Sequence, residues 1–79
     1  MKIRVQLFGF LAEQAGKAQL TVTVSGGTVQ DVLAAVAVAA PALKLDKSVR
    51  FAINTDYAEP TAAVREDDLV SLLPPVGGG

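Results

Sequence analysis

The chain has 79 residues, 51% of them hydrophobic, with seven Lys or Arg against eight Asp or Glu and a net charge of −1. That length specifies one small domain, which buries only roughly 60% of its unfolded surface, and the near-neutral charge supplies no basic field for nucleic acid. Cysteine and histidine are both absent, which excludes thiol nucleophiles, persulfides, Cys/His zinc sites and imidazole acid–base chemistry.

The N-terminus imitates a secretory signal, because Lys2 and Arg4 precede an apolar run that reaches Ala12. Arg4 and Gln6, however, alternate with Ile3, Val5 and Leu7, which is the period of a strand, so a cytosolic protein is expected. No stretch reaches the ~18 uninterrupted apolar residues of a membrane span. The Ala34–Ala40 run lies between Asp31 and Pro41 and reads as a buried helix.

Residues 2–8 predict a strand with one buried face. Phe10-Leu11-Ala12-Glu13-Gln14-Ala15 predicts a short helix, with Gly16 placed for a left-handed C-terminal residue. Leu20, Val22 and Val24 alternate with Thr21 and Thr23 as a second strand, ended by Ser25-Gly26-Gly27. Thr28-Val29-Gln30-Asp31 fits a capping box and opens the main helix. Val29, Val32, Leu33, Val36 and Ala40 share one face of it. Pro41 disfavours helix at Ala40, so the helix is expected to end near Ala39.

Leu43 and Leu45 are expected to tuck under the core from the connection that follows. Val49, Phe51 and Ile53 alternate with Arg50, Ala52 and Asn54 as a third strand. Asn54-Thr55-Asp56 predicts a turn, Tyr57-Ala58 a short edge strand, and Glu66-Asp67-Asp68 a solvated acidic turn in preference to a cation site. Leu69–Leu73 predicts the last strand. This order specifies an α+β domain over residues 1–73, with one long helix packed across a mixed sheet.

Residues 74–79, Pro74-Pro75-Val76-Gly77-Gly78-Gly79, are expected to form a flexible tail. The prolines stop the strand, and the glycines lead to a carboxylate with no side chain in the way. On residue types alone a frayed end and a functional tail are both open. Strand parity adds a second feature. Arg4 and Gln6 put Phe8 on the outer face, and Ser71 does the same for Leu73, leaving Val70 and Leu72 inside. If the first and last strands are neighbours, Phe8 and Leu73 meet beside the tail, with Arg4 and Arg50 at the rim, as a candidate docking patch.

The order of elements, Thr28-Val29-Gln30-Asp31-Val32-Leu33 at the helix start, and the terminal strand running into Pro74-Pro75-Val76-Gly77-Gly78-Gly79 resemble the MoaD/ThiS family of ubiquitin-like β-grasp sulfur carriers. The proline pair and valine before the glycines are most similar to its molybdopterin synthase small-subunit (MoaD-type) branch. The ThiS-type branch shares the glycine pair but usually lacks the prolines. The resemblance implies a β-grasp fold and a chain that is not an enzyme by itself. In this scheme Gly79 is adenylated with ATP by a ubiquitin-activating-type adenylyltransferase (MoeB-type) and converted to a thiocarboxylate. The charged carrier inserts its tail (Pro74, Pro75, Val76, Gly77, Gly78) into the large subunit of molybdopterin synthase (MoaE-type), within a heterotetramer. There its sulfur goes to cyclic pyranopterin monophosphate to build the molybdopterin dithiolene. No cofactor, metal, nucleic acid or membrane is implied.

Three positions depart from the family pattern. Ala12 stands where many relatives have arginine, Gly77 where Ser, Thr or Ala is commoner, and Asp67 where relatives commonly have glycine. Asp67 is therefore expected to take a glycine-like backbone conformation. Other readings of the same residues are a ThiS-like or tRNA-thiolation carrier, a ubiquitin-like modifier that joins Gly79 to lysines, and an inert interaction domain.

Overall fold

Alternating side chains lay down a five-stranded mixed sheet, and one helix covers its apolar face. The computed structural model describes residues 1–43, 45 and 48–75. Its elements are β1 (Lys2–Leu7), α1 (Phe10–Ala15), β2 (Gln19–Thr23), α2 (Val29–Ala39), β3 (Arg50–Ile53), β4 (Asp56–Ala58) and β5 (Leu69–Leu73), and the strand order is β2-β1-β5-β3-β4. β1 and β5 are parallel neighbours, whereas β1–β2, β3–β5 and β3–β4 are antiparallel. The α+β architecture expected from the pattern of elements is the one observed.

The first strand buries Ile3, Val5 and Leu7 and leaves Lys2 and Arg4 exposed, as the alternation requires. Leu11 carries α1 onto the core. Gly16 ends that helix at φ 74°, with its N–H donating to the Ala12 and Glu13 carbonyls, a left-handed terminus that glycine adopts at no steric cost.

At the start of α2, every N–H of the first turn finds an acceptor. Asp31 N–H donates to Thr28 Oγ1 at 3.4 Å, and Thr28 N–H returns to Asp31 Oδ2 at 3.1 Å. Val29 and Gln30 N–H groups donate to the carbonyls of Ala62 and Pro60 at 3.0 and 2.9 Å. The capping box therefore works together with the segment that laces across the helix start, and the orphan donors of a helix terminus are consumed. Gly26 makes room for this, since a Cβ there would fall on the Asp31 carboxylate. Ala40 closes the helix with its N–H on the Val36 carbonyl at 2.8 Å, where the following proline was expected to stop it.

Val29, Val32 and Val36 of α2 are completely buried against Ile3, Val5, Val70 and Leu72 of the central strands. Leu43 and Leu45 pack onto the same cluster from the connection after α2, as the sequence led us to expect. The core is thus built from Val, Leu and Ile, and Phe51 is the one aromatic packed against it among the described residues.

The turns hold one correction. Asp67 does not take a left-handed conformation: Asn54, at φ 59°, is the one non-glycine residue with positive φ among those described. The acidic turn is closed by Asp68 N–H to the Arg65 carbonyl at 3.0 Å and by Arg65 N–H to Asp68 Oδ2 at 2.8 Å. It therefore asks nothing of glycine at position 67. The positive φ at Asn54 belongs to the two-residue turn between β3 and β4, and asparagine is a residue type enriched in that conformation. Its Nδ2 donates to Asp68 Oδ1 at 3.1 Å and its Oδ1 accepts from Leu69 N–H at 3.1 Å. One side chain thus ties the β3–β4 hairpin to the entry of β5.

Leu72→Ala, at a side chain with 0% exposure in a central strand, is expected to cost about 2–5 kcal/mol in urea unfolding. Val38→Ala, at 83% exposure on the outer side of α2, should stay within about 0.5 kcal/mol. Asp68 has its own pH signature. Hydrogen bonds from the Arg65 N–H, and then the Asn54 amide, hold its carboxyl below the ordinary carboxylate value. A depressed folded-state pKa contributes stability that is complete above the unfolded value and lost as pH falls through the folded one. The stability gap between the wild type and Asp68→Asn should therefore narrow on acidification through the carboxylate range, as read by urea melts at stepped pH.

Candidate functional site: the shared end of the two central strands

Because β1 and β5 run parallel, their C-terminal ends lie at the same end of the sheet. Their register pairs Arg4 with Leu69, Val5 with Val70, Gln6 with Ser71 and Leu7 with Leu72. One further rung, Phe8 N–H to the Leu72 carbonyl at 3.2 Å, carries the pairing to the last residue before the Leu73–Pro74 exit. Phe8 and Leu73 consequently occupy adjacent positions on the open face, as the parity argument requires. Phe8 is 39% exposed and Leu73 is half-buried.

Arg50 is paired with Leu73 in the β3–β5 register and is exposed, so it stands directly beside the patch. Arg4 shares the open face but sits opposite Leu69, at the other end of β5. The structure therefore brings Phe8, Leu73 and Arg50 together and leaves Arg4 further along the sheet. Pro74 is half-buried and Pro75 exposed at the exit. Val76, Gly77, Gly78 and Gly79 lie outside the described residues. Ala12, at the position where relatives often have arginine, lies on α1 as a partly buried residue packed against the core.

Two features of this end were not legible in the sequence. Tyr57 is 69% exposed and pairs with Ala52, which in turn pairs with Ser71. It therefore projects from the same open face, two strands away from Leu73. Ser71, the polar residue expected to mark that face, is itself buried at 6%, because it occupies the middle strand between Gln6 and Ala52. Phe8, Phe10 and Tyr57 are all exposed, at 39%, 43% and 69%. A small domain short of core volume that leaves its largest apolar side chains in solvent has a surface suited to burying them elsewhere, and exposed aromatics are the usual anchors of an interface. The second feature is Gly9, at φ 57° and ψ −137° between β1 and α1, whose α-carbon faces the Pro74 ring.

The open face has little chemistry of its own. No group of three or more His, Cys, Asp or Glu that could hold a metal occurs among the described residues. A concavity of about 500 Å³ lies at the β4 edge, lined in part by Asn54, Asp56, Tyr57 and Glu59, away from the exit at Pro74. No described helix is long and apolar enough to cross a membrane.

Comparison with known proteins places these features in a wider setting. The model of the ThiS family matches residues 5–79. A molybdopterin synthase sulfur carrier subunit of Chlamydomonas reinhardtii is 35% identical over 83 residues, covering all of both chains. Its counterpart in Arabidopsis thaliana is 33% identical over 81 residues, covering all of this chain and 84% of that one. Among solved structures, SAMP1 from Haloferax volcanii superposes with a TM-score of 0.86 at 32% identity over the whole of both chains. The fold is the ubiquitin-like β-grasp. A complex of subunits 1 and 2 of the molybdopterin-converting factor of Helicobacter pylori matches with a TM-score of 0.70 at 22% identity over both full chains, a likeness of fold alone.

Substituting the patch should separate docking from folding. If this face docks a partner protein, Phe8→Glu and Leu73→Glu are each expected to weaken that binding about 10-fold or more, with a melting temperature close to that of the wild type. Unchanged affinity in titration calorimetry would place the docking surface elsewhere.

Proposed function

Given that the chain belongs to the ThiS family, we propose that it is the sulfur carrier subunit of a molybdopterin synthase. The likeness along the full length to two molybdopterin synthase sulfur carrier subunits, at 35% and 33% identity, is the observation that carries this reading. The proline pair at the end of the last strand supports it, as does the exposed apolar end of the sheet beside that pair.

In this reading the reacting group is the main-chain carboxylate of Gly79. A carboxylate is a poor acyl donor at neutral pH because its leaving group is oxide. Attack by Gly79 on the α-phosphorus of ATP forms an acyl adenylate and releases pyrophosphate. Hydrosulfide then attacks the acyl carbon, the bond to AMP breaks, and the products are the thiocarboxylate and AMP. A ubiquitin-activating-type adenylyltransferase supplies the first step, and ATP is bound by that enzyme. The thiocarboxylate sulfur bonds to a carbon of cyclic pyranopterin monophosphate, water cleaves the acyl–sulfur bond and returns Gly79 as a carboxylate, and a second transfer from another charged carrier completes the dithiolene in the active site of the large subunit.

In this reading the catalytic side chains belong to the partners and the carrier acts as a co-substrate, and a chain with neither His nor Cys suits that role. Gly77 and Gly78 bring no Cβ to a narrow channel, and Pro74 and Pro75 limit the conformations lost on insertion. Phe8 and Leu73 form the centre of the docking surface, with Arg50 at its rim. Assembly into a heterotetramer with the large subunit, in the cytosol, completes the proposal.

Intact mass tests it directly. Incubation with ATP, an activating enzyme and a sulfur source should exchange one terminal oxygen for sulfur, and deletion of Gly79 should abolish that exchange. The charged carrier should then support dithiolene formation with a molybdopterin synthase large subunit. A ladder of higher-mass conjugates would instead favour a protein modifier. Transfer only to a thiazole or tRNA acceptor would move the chain to another sulfur pathway.

A further inference from the structure

We propose that Gly9 is a positioning residue for the exit of the tail from the sheet: it is the seat on which Pro74 rests, and it sets the direction in which the chain leaves. The inference rests on the carrier reading above and concerns a residue that takes no part in the chemistry.

Gly9 follows the last β1–β5 rung and precedes α1. Its carbonyl accepts from Ala12 N–H at 3.2 Å, while the Phe8 carbonyl accepts from Leu11 N–H at 3.2 Å. The peptide on each side of Gly9 is therefore held by the first turn of α1. At φ 57° and ψ −137°, the backbone occupies a region that side-chain-bearing L-residues rarely adopt. A Cβ at this position would lie 2.9 Å from Pro74 Cγ, with Cδ and Cβ of the same ring at 3.7 and 3.9 Å.

Pro74 is no flexible side-chain tip that could swing aside. Its ring is closed onto its own backbone nitrogen, so displacing Cγ moves the main chain. It is also the first residue past Leu73, whose position is fixed by pairing to Arg50. The absence of a side chain at position 9 thus lets the proline ring close onto the β1–α1 corner, and the exit direction is set by contact on one side and by the sheet on the other. A chain that leaves the sheet from a fixed pivot takes fewer directions at its exit than one that leaves a free strand end. Pre-set geometry of this kind lowers the barrier of the reaction step more than it changes docking.

The test is steady-state ATP–pyrophosphate exchange by the activating enzyme, with the full-length carrier as the varied substrate. Gly9→Ala should lower kcat on the order of 10- to 100-fold, with KM for the carrier changed by less than about 3-fold, because the open face that docks is intact. Pro74→Ala should lower kcat in the same sense. The penalty of Gly9→Ala should shrink when it is combined with Pro74→Ala, where the ring that it displaces is gone. A Gly9→Ala effect of equal size with and without Pro74→Ala, or one confined to KM, would overturn the proposal. Should Gly9→Ala fail to fold, Pro74→Ala decides alone, and an unchanged kcat for that variant overturns it. A wild-type chain that is not adenylated defeats the carrier reading and this inference together. Wild-type turnover with both variants unimpaired defeats this inference only.

Discussion

The parallel pairing of β1 with β5 is the constraint on which the other features depend. Parallel neighbours cannot be joined by a hairpin, because the chain must return to the starting end before it can pair again. All of the chain between Leu7 and Leu69 is that return, and α2 supplies the crossover that covers one face of the sheet. The same pairing puts the exit of the first strand beside the exit of the last. Phe8 and Gly9 therefore meet Leu73 and Pro74, although the two pairs come from opposite ends of the sequence.

That arrangement also explains how the apolar residues are divided. The space between α2 and the sheet is filled by Val, Ile and Leu, with alanines on the remaining faces of the helix. Such a thin core has little place for large rings. Three of the four aromatics in the chain, Phe8, Phe10 and Tyr57, are left at the surface. Their exposure in a domain this small is costly unless a partner covers them. The surface and the exit of the chain then serve one purpose in the proposed carrier: the surface holds the partner, and the exit delivers a main-chain group to the partner's catalytic residues.

Local signals carried most of the fold. The capping box at Thr28 and Asp31, the C-terminal glycine of α1 and the proline after α2 each act through hydrogen bonds or sterics within a few residues, so they were readable without knowledge of the fold. Strand alternation placed Phe8 and Leu73 on the open face for the same reason. The expectation for Asp67 failed because a turn can be closed in more than one way. The Asp68 carboxylate receives the Arg65 N–H, so position 67 needs no positive φ, and the Asn54 side chain braces the start of β5 from the neighbouring hairpin.

The sequence by itself determined the elements, the buried faces, the lack of imidazole and thiol chemistry, and the proline–glycine composition of the last six residues. Those properties belong to single residues or to spacings of two to four, and the local backbone reads them directly. Only the tertiary structure decided which strands are neighbours, and with that the company that each exposed residue keeps. It brought Arg50 to Leu73 and left Arg4 at the far end of β5. It buried Ser71, with Ala52 beside it, in the middle of the open face and set the bare α-carbon of Gly9 against the ring of Pro74. These are contacts between segments distant in sequence, fixed by strand register, and no local period encodes them.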